Sequence, residues 1–173
     1  MSVVNEGTNV RPVPEGYDTV TPYVIVKGAA AFIDFVVRAF GAEERGRVPN
    51  EDGTLGHAEV RIGSSVLMTF DAKEDWCETP SFLTLWTEDC DETHRAALAA
   101  GATVVTELST SAWGIRGSRI RDPFGNLWWI QTQVEVVTED DIARRMGEER
   151  HLDDMRMSTE TLDHEVRRLC AGR

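Results

Sequence analysis

Cysteine is scarce in this 173-residue chain: Cys77, Cys90 and Cys170 are the only three. An odd number without zinc-type spacing excludes a disulfide framework and a structural zinc cluster, so reduced thiols in a cytoplasmic protein are expected. Basic residues are also in short supply, with 18 Lys and Arg against 30 Asp and Glu and a net charge of −12. Nucleic acid and anionic membranes need a basic face, so neither is expected as a partner. No apolar run reaches bilayer length, and the opening MSVVNEGTNVRPVPEGYD holds no apolar signal core. Length bounds the rest: one domain, or two small ones sharing a core.

What is present is periodicity, and it occurs twice. Pro12, Pro14 and Gly16 make residues 1–18 a flexible lead-in. TVTPYVIV then reads as a strand, and AAAFIDFVVRAFG places Phe32, Phe35, Val36, Ala39 and Phe40 at helical spacing, with Gly41 suited to the helix end. EERGRVPN, GHAEVRIG and SSVLMTFDA supply three further strands, the last two joined by a turn at Gly63-Ser64. After an irregular linker the order returns. SFLTLWTED is a strand, CDETHRAALAAG a helix with Ala96, Leu98 and Ala99 inward, and ATVVTEL, GIRGSRIRD and NLWWIQTQVEV are strands. The prediction is an α+β chain of two βαβββ modules, residues 19–72 and 81–137, whose half-sheets together enclose a cleft. Residues 138–173 form a helical extension, opened by a Thr cap at TEDD and carrying Leu162, Val166 and Leu169 on one stripe. Such a stripe docks on the parent domain or on a second subunit, with Met146, Met155 and Met157 as docking residues.

The paired modules, the run TPYVIVKGAAAFIDFVVRAFGAEE, the phrase GHAEVRIGSSVLM and the turn DPFGNLWW together resemble the vicinal oxygen chelate superfamily. This is the fold of glyoxalase I, bleomycin-resistance proteins and extradiol dioxygenases, and the likeness is nearest to its PhnB-like branch. The resemblance implies a homodimer, with the modules paired within one chain or swapped across two. It also implies where a divalent metal ion would sit, since metal-dependent members use one His or Gln and one Glu from each module. Carried over residue by residue, those positions fall on Thr21, Met68, Phe82 and Trp129. A borderline cation asks for carboxylate oxygens and imidazole nitrogens, which these four do not supply, so no metal is expected.

Alternation along a strand sends Trp128 under a helix and Trp129 into the cleft. Met68, Phe70, Phe82, Thr84 and Trp86 share the cleft surface, with Tyr23 and Gln131 as polar handles and Trp113 on a covering loop. Stacking on the Trp129 face would suit flat ligands. The expected function is metal-free binding of a small hydrophobic or aromatic molecule, as in sequestration of an antibiotic or metabolite. His57 and Glu59, two apart on a strand, leave alternatives open. They form an acid/base pair in a metal-free enzyme, unorthodox ligands in a glyoxalase-type lyase, isomerase or extradiol-type dioxygenase, or a hydrogen-bonded rim pair. Among Arg116, Arg119 and Arg121, one is placed to reach an anionic ligand, while salt bridges are their ordinary use. His94, His151 and His164 lie on charged helical stretches and are expected at the surface.

Overall fold

The computed structural model describes residues 11–171. The element order is β1 (Tyr23–Val26), α1 (Ala29–Phe40), β2 (Glu43–Pro49), β3 (Leu55–Ile62), β4 (Ser65–Asp71), β5 (Phe82–Trp86), α2 (Cys90–Ala99), β6 (Thr103–Thr110), β7 (Ile115–Arg121), β8 (Leu127–Gln133), α3 (Glu139–Arg145) and α4 (Glu149–Ala171). Two four-stranded sheets result, ordered β1-β4-β3-β2 and β5-β8-β7-β6. The first pair in each is parallel and the others antiparallel. The two βαβββ modules of an α+β fold are therefore as expected, followed by C-terminal helices. Of the lead-in, residues 1–10 lie outside the described part.

Helix α1 forms because its apolar residues recur on one face: Phe32, Ile33, Phe35, Val36 and Ala39 are all buried. Each fully buried Phe, Ile or Val side chain contributes about 1.5–3 kcal/mol. Gly28, at φ 91°, turns the chain into the helix, and the carboxylate of Asp71 accepts from Gly28 N (2.7 Å) and Ala29 N (2.9 Å). A β4 side chain thus satisfies donors that the first helical turn leaves open. Helix α2 is capped locally, the Asp89 side chain accepting from Glu92 N at 2.9 Å.

The face of α2 differs from expectation. Cys90, His94 and Ala97 are inward at i, i+4 and i+7, whereas Ala99 is exposed. His94 is buried because its Nδ1 bonds the Ser118 hydroxyl at 2.8 Å, which gives the ring a partner in the core. Its burial holds the imidazole below the ordinary histidine range.

The modules meet through their helices and through the turn between β7 and β8. Phe124 packs edge-on against Phe32 and Phe35, and Trp128 lies 4.6 Å from Phe40. In the DPFGN turn Asp122, 2% exposed, accepts from Phe124 N, Asn126 N, Asn126 Nδ2 and the Trp128 indole, each at 2.9 Å. One carboxylate closes the turn and fixes the buried indole. Burial nevertheless pushes its pKa up, because desolvation outweighs the four donors.

Candidate functional site

In each module the helices cover one sheet face and leave the other free, and the sequence-predicted residues lie on these free faces. They do not form a single cleft within the chain. On the first module, the register pairs Tyr23 and Glu59 with Met68, and Ile25 with Phe70, while Ala58 and Val60 face the helix. Tyr23 packs edge-on against Phe70 at 5.3 Å.

His57 joins the polar groups of this face. Its Nε2 lies 3.1 Å from Glu59 Oε1 and its Nδ1 2.7 Å from the Tyr23 hydroxyl. An ionised Glu59 can only accept, so Nε2 carries the proton and Tyr23 donates to Nδ1. Tyr17, from the lead-in, donates to Glu59 Oε2 at 2.6 Å, with Arg45 on the same oxygen at 3.7 Å. The Tyr17 hydrogen bond is the largest cause holding the Glu59 carboxyl below its usual range. Burial and the Glu59 charge push the Tyr23 phenol up.

On the second module, Trp128 is 2% exposed under the helices, and Trp129 stands on the opposite face as alternation requires. Helix α4 lies across this face in the same chain. Thr161 meets Thr106 at 2.7 Å, Glu165 pairs with Arg121 at 3.1 Å, and Arg119 Nη1 donates to Ser158 O and Oγ, both at 2.7 Å. The docked side of α4 is thus largely polar; of the apolar stripe, Leu162 and Leu169 are half-buried and Val166 is 43% exposed within the chain. The floor it covers presents Arg119, Arg121 and Thr106, so oxygen-bearing side chains fit where leucines would strand donors. His151, expected at the surface, is buried beneath this helix at 4% exposure, while His164 is exposed as expected.

Between α4 and the sheet lies a cavity of about 370 Å³ whose lining includes Trp113, Arg119, Trp129, Gln131, His151 and Met155. It falls in the small-molecule range. Three sequence-predicted residues therefore converge: Trp113, Trp129 and Gln131. Trp113 sits on an anchored turn rather than a loose loop, since Gly114, at φ 72°, takes Val134 N and Glu135 N on its carbonyl. The guanidinium of Arg119 already covers one face of Trp129, 4.3 Å from the ring centre, so that face is closed to a stacking ligand.

Phe82, Thr84 and Trp86 share the sheet face of Trp129 but lie on edge strand β5, beyond the reach of α4, with Phe82 50% and Trp86 57% exposed. Thr84 and Trp86 instead line a hollow of about 630 Å³ with Pro22, Phe40 and Leu85. That hollow is larger, yet it contains none of the buried polar atoms left without partners in the described residues.

A family model for the glyoxalase/bleomycin resistance protein/dioxygenase superfamily matches residues 16–130. The chain belongs to that superfamily. Relatives include uncharacterized proteins from Mycobacterium bovis and Mycobacterium tuberculosis. Each is 38% identical over 150 residues, covering 80% of this chain and 95% and 85% of their own lengths. Among solved structures, TioX from Micromonospora sp. ML1 superposes with TM-score 0.59 at 27% identity, covering 67% of this chain and 98% of its own. A PhnB protein from Bacillus cereus shares the fold at TM-score 0.52 and 16% identity, over 66% and 99% of the two chains. A third of this chain thus has no counterpart in TioX, and the superfamily match ends before α3 and α4 begin.

The positions that the superfamily's metal-dependent members use for ligands do not fit a divalent ion here. Met68, Phe82 and Trp129 offer one thioether and two aromatic rings, and Thr21 lies before β1 with its hydroxyl on Asp18 O at 3.4 Å. The β1–β4 register sets Tyr23, not Thr21, opposite Met68. Nor are three or more His, Cys, Asp or Glu side chains grouped to hold a metal among the described residues.

Proposed function

We propose that this superfamily member binds a small hydrophobic or aromatic molecule without a metal, in the cavity between its second module and α4. Sequestration of an antibiotic or metabolite is the role this implies. The observation that carries the reading is the placement of Trp129. At a position where metal-dependent relatives keep a carboxylate, an indole instead walls a roofed cavity together with Trp113. Gln131, 5% exposed, and Arg119 supply the few polar groups that orient a ligand in such a pocket. Quenching of tryptophan fluorescence by a panel of aromatic compounds is the test. The response should depend on Trp129, and an unchanged response in Trp129→Ala removes the cavity from consideration. Elemental analysis of purified protein should find no stoichiometric Ni, Zn, Mn or Fe, and a full equivalent would sink the metal-free part.

The Tyr23–His57–Glu59 chain favours a second reading, a metal-free enzyme in which His57 moves a proton on the open face of the first module. Exchange of a carbon-bound proton in a carbonyl compound, abolished in His57→Gln, would establish it; the absence of exchange across a substrate panel counts against it.

The proposal includes a homodimer in the cytoplasm. Tyr23, Phe82 and Trp86, each at least 44% exposed, support assembly through the β1 and β5 edges. Light scattering at the mass of one chain would contradict it. Among the described residues no helix is long and apolar enough to cross a membrane, and all three cysteines are free thiols.

A further inference from the structure

The cavity under α4 carries a charge that the chain does not balance. Three arginines, Arg116, Arg119 and Arg121, lie on β7. Arg116 makes a bidentate pair with Asp91, and Arg121 pairs with Glu165. Arg119, between them, is the buried one at 7% exposure, and among the described residues no carboxylate forms an ion pair with it. Its Nη1 is spent on Ser158 and its plane lies on Trp129, but its Nε is buried without any partner. A buried guanidinium in that condition is costly unless something completes it. Burial drives its pKa down.

A second buried group in the same cavity is also incomplete. His151 is 4% exposed, and neither ring nitrogen has a hydrogen-bond partner. The nearest carboxylate, Glu148, stands 3.8 Å from Nε2, too far to accept. Asp154, half-buried one turn later on α4, is the one acidic residue in the lining and forms no ion pair with Arg119. Orphaned donors on two elements, one of them a cation, share a cavity that also holds two indoles. Each orphan is costly where it stands, and both residues line the same cavity.

Resting on the binding reading above, we propose that the ligand is an aromatic monocarboxylate. Its carboxylate takes the free Nε edge of Arg119 and a ring N–H of His151, and its flat body lies along Trp113 and the uncovered part of Trp129. The guanidinium fork suits the two oxygens of a carboxylate, and with Nη1 already committed only one edge remains to offer. The chain as a whole repels anions at a net charge of −12, so preference for an acid has to arise locally.

The test compares 2-naphthoate with its neutral isostere 2-naphthamide on the unaltered full chain, by calorimetry and tryptophan quenching at neutral pH. The acid should bind at least about tenfold more tightly. Arg119→Met should remove that preference by weakening the acid alone, and His151→Gln should reduce it by a smaller factor. Equal affinity for acid and amide overturns the carboxylate assignment while leaving the aromatic cavity intact. Failure of both to bind overturns the cavity and the assignment together. A preference that survives in a folded Arg119→Met also overturns the assignment. Should that variant fail to fold, the comparison on the unaltered protein decides.

Discussion

The two modules share strand order, helix placement and a free sheet face, yet those faces are completed in different ways. In the first, side chains of the face satisfy one another: Tyr17, Glu59, His57 and Tyr23 form a continuous hydrogen-bonded series beside Met68 and Phe70. In the second, α4 lies over the face, leaving a cavity with Arg119 and His151 incompletely bonded. A polar face whose groups are paired is a finished surface. One with buried, unpaired polar groups is not complete in itself. The repeat supplies the scaffold, and the segment after β8 turns one copy into a pocket.

The largest effect that would sharpen this contrast separates the adjacent tryptophans. Trp128→Ala empties a buried site and should cost about 3–5 kcal/mol in denaturant unfolding. Trp129→Ala should cost less, because the ring is only partly buried, while removing the quenching response. Similar losses for the two would mean that the faces are not differentiated as described.

Next in size is Gly117→Ala. An added Cβ would meet Ile130 O at 2.5 Å and Gln131 Cγ at 3.1 Å on the cavity floor, for a loss of about 1–3 kcal/mol and weaker ligand binding. An Ala variant with wild-type melting and binding would show that the floor is not packed this way.

Ending the chain after Val137 should abolish quenching by aromatic acids while the circular dichroism of the two sheets persists, since α4 supplies only the roof. Retained binding would assign the ligand to another surface.

The smallest effect belongs to the first module. Glu59 is held below the ordinary carboxyl value of 4.5, so it contributes stability that is present above that pH and lost as pH falls through its lowered folded value. Tyr17→Phe removes the main cause of that lowering. The variant should therefore melt below wild type at neutral pH, by about 1 kcal/mol or less, and the two should converge in acid. Parallel pH profiles would show that Tyr17 does not govern Glu59.

Much of this was legible along the chain because local rules carry it. Alternation alone separates Trp128 from Trp129 and groups Met68 with Glu59, and the 3.6-residue period marks the buried face of α1. The errors over His94 and His151 share one cause, the equation of polar with exposed. His94 and His151 are buried because Ser118 partners one and α4 encloses the other. Val166 stays 43% exposed within the chain, where the floor under α4 is met by oxygen-bearing side chains. The i, i+4, i+7 spacing of His151, Met155 and Ser158 was a usable signal, hidden by the charged residues around it.

By itself the sequence determined the duplicated βαβββ plan, the opposite faces of Trp128 and Trp129, and which side-chain types stand at the superfamily's ligand positions. These depend on periodicity and on side-chain type, which are properties of short stretches. Only the tertiary structure decided that the free faces stay separate within the chain, that α4 roofs the second of them, and that Arg119 loses access to a carboxylate. Those outcomes depend on which groups distant in sequence, residues 106–131 and 151–165, are brought within bonding distance, and no local pattern encodes that.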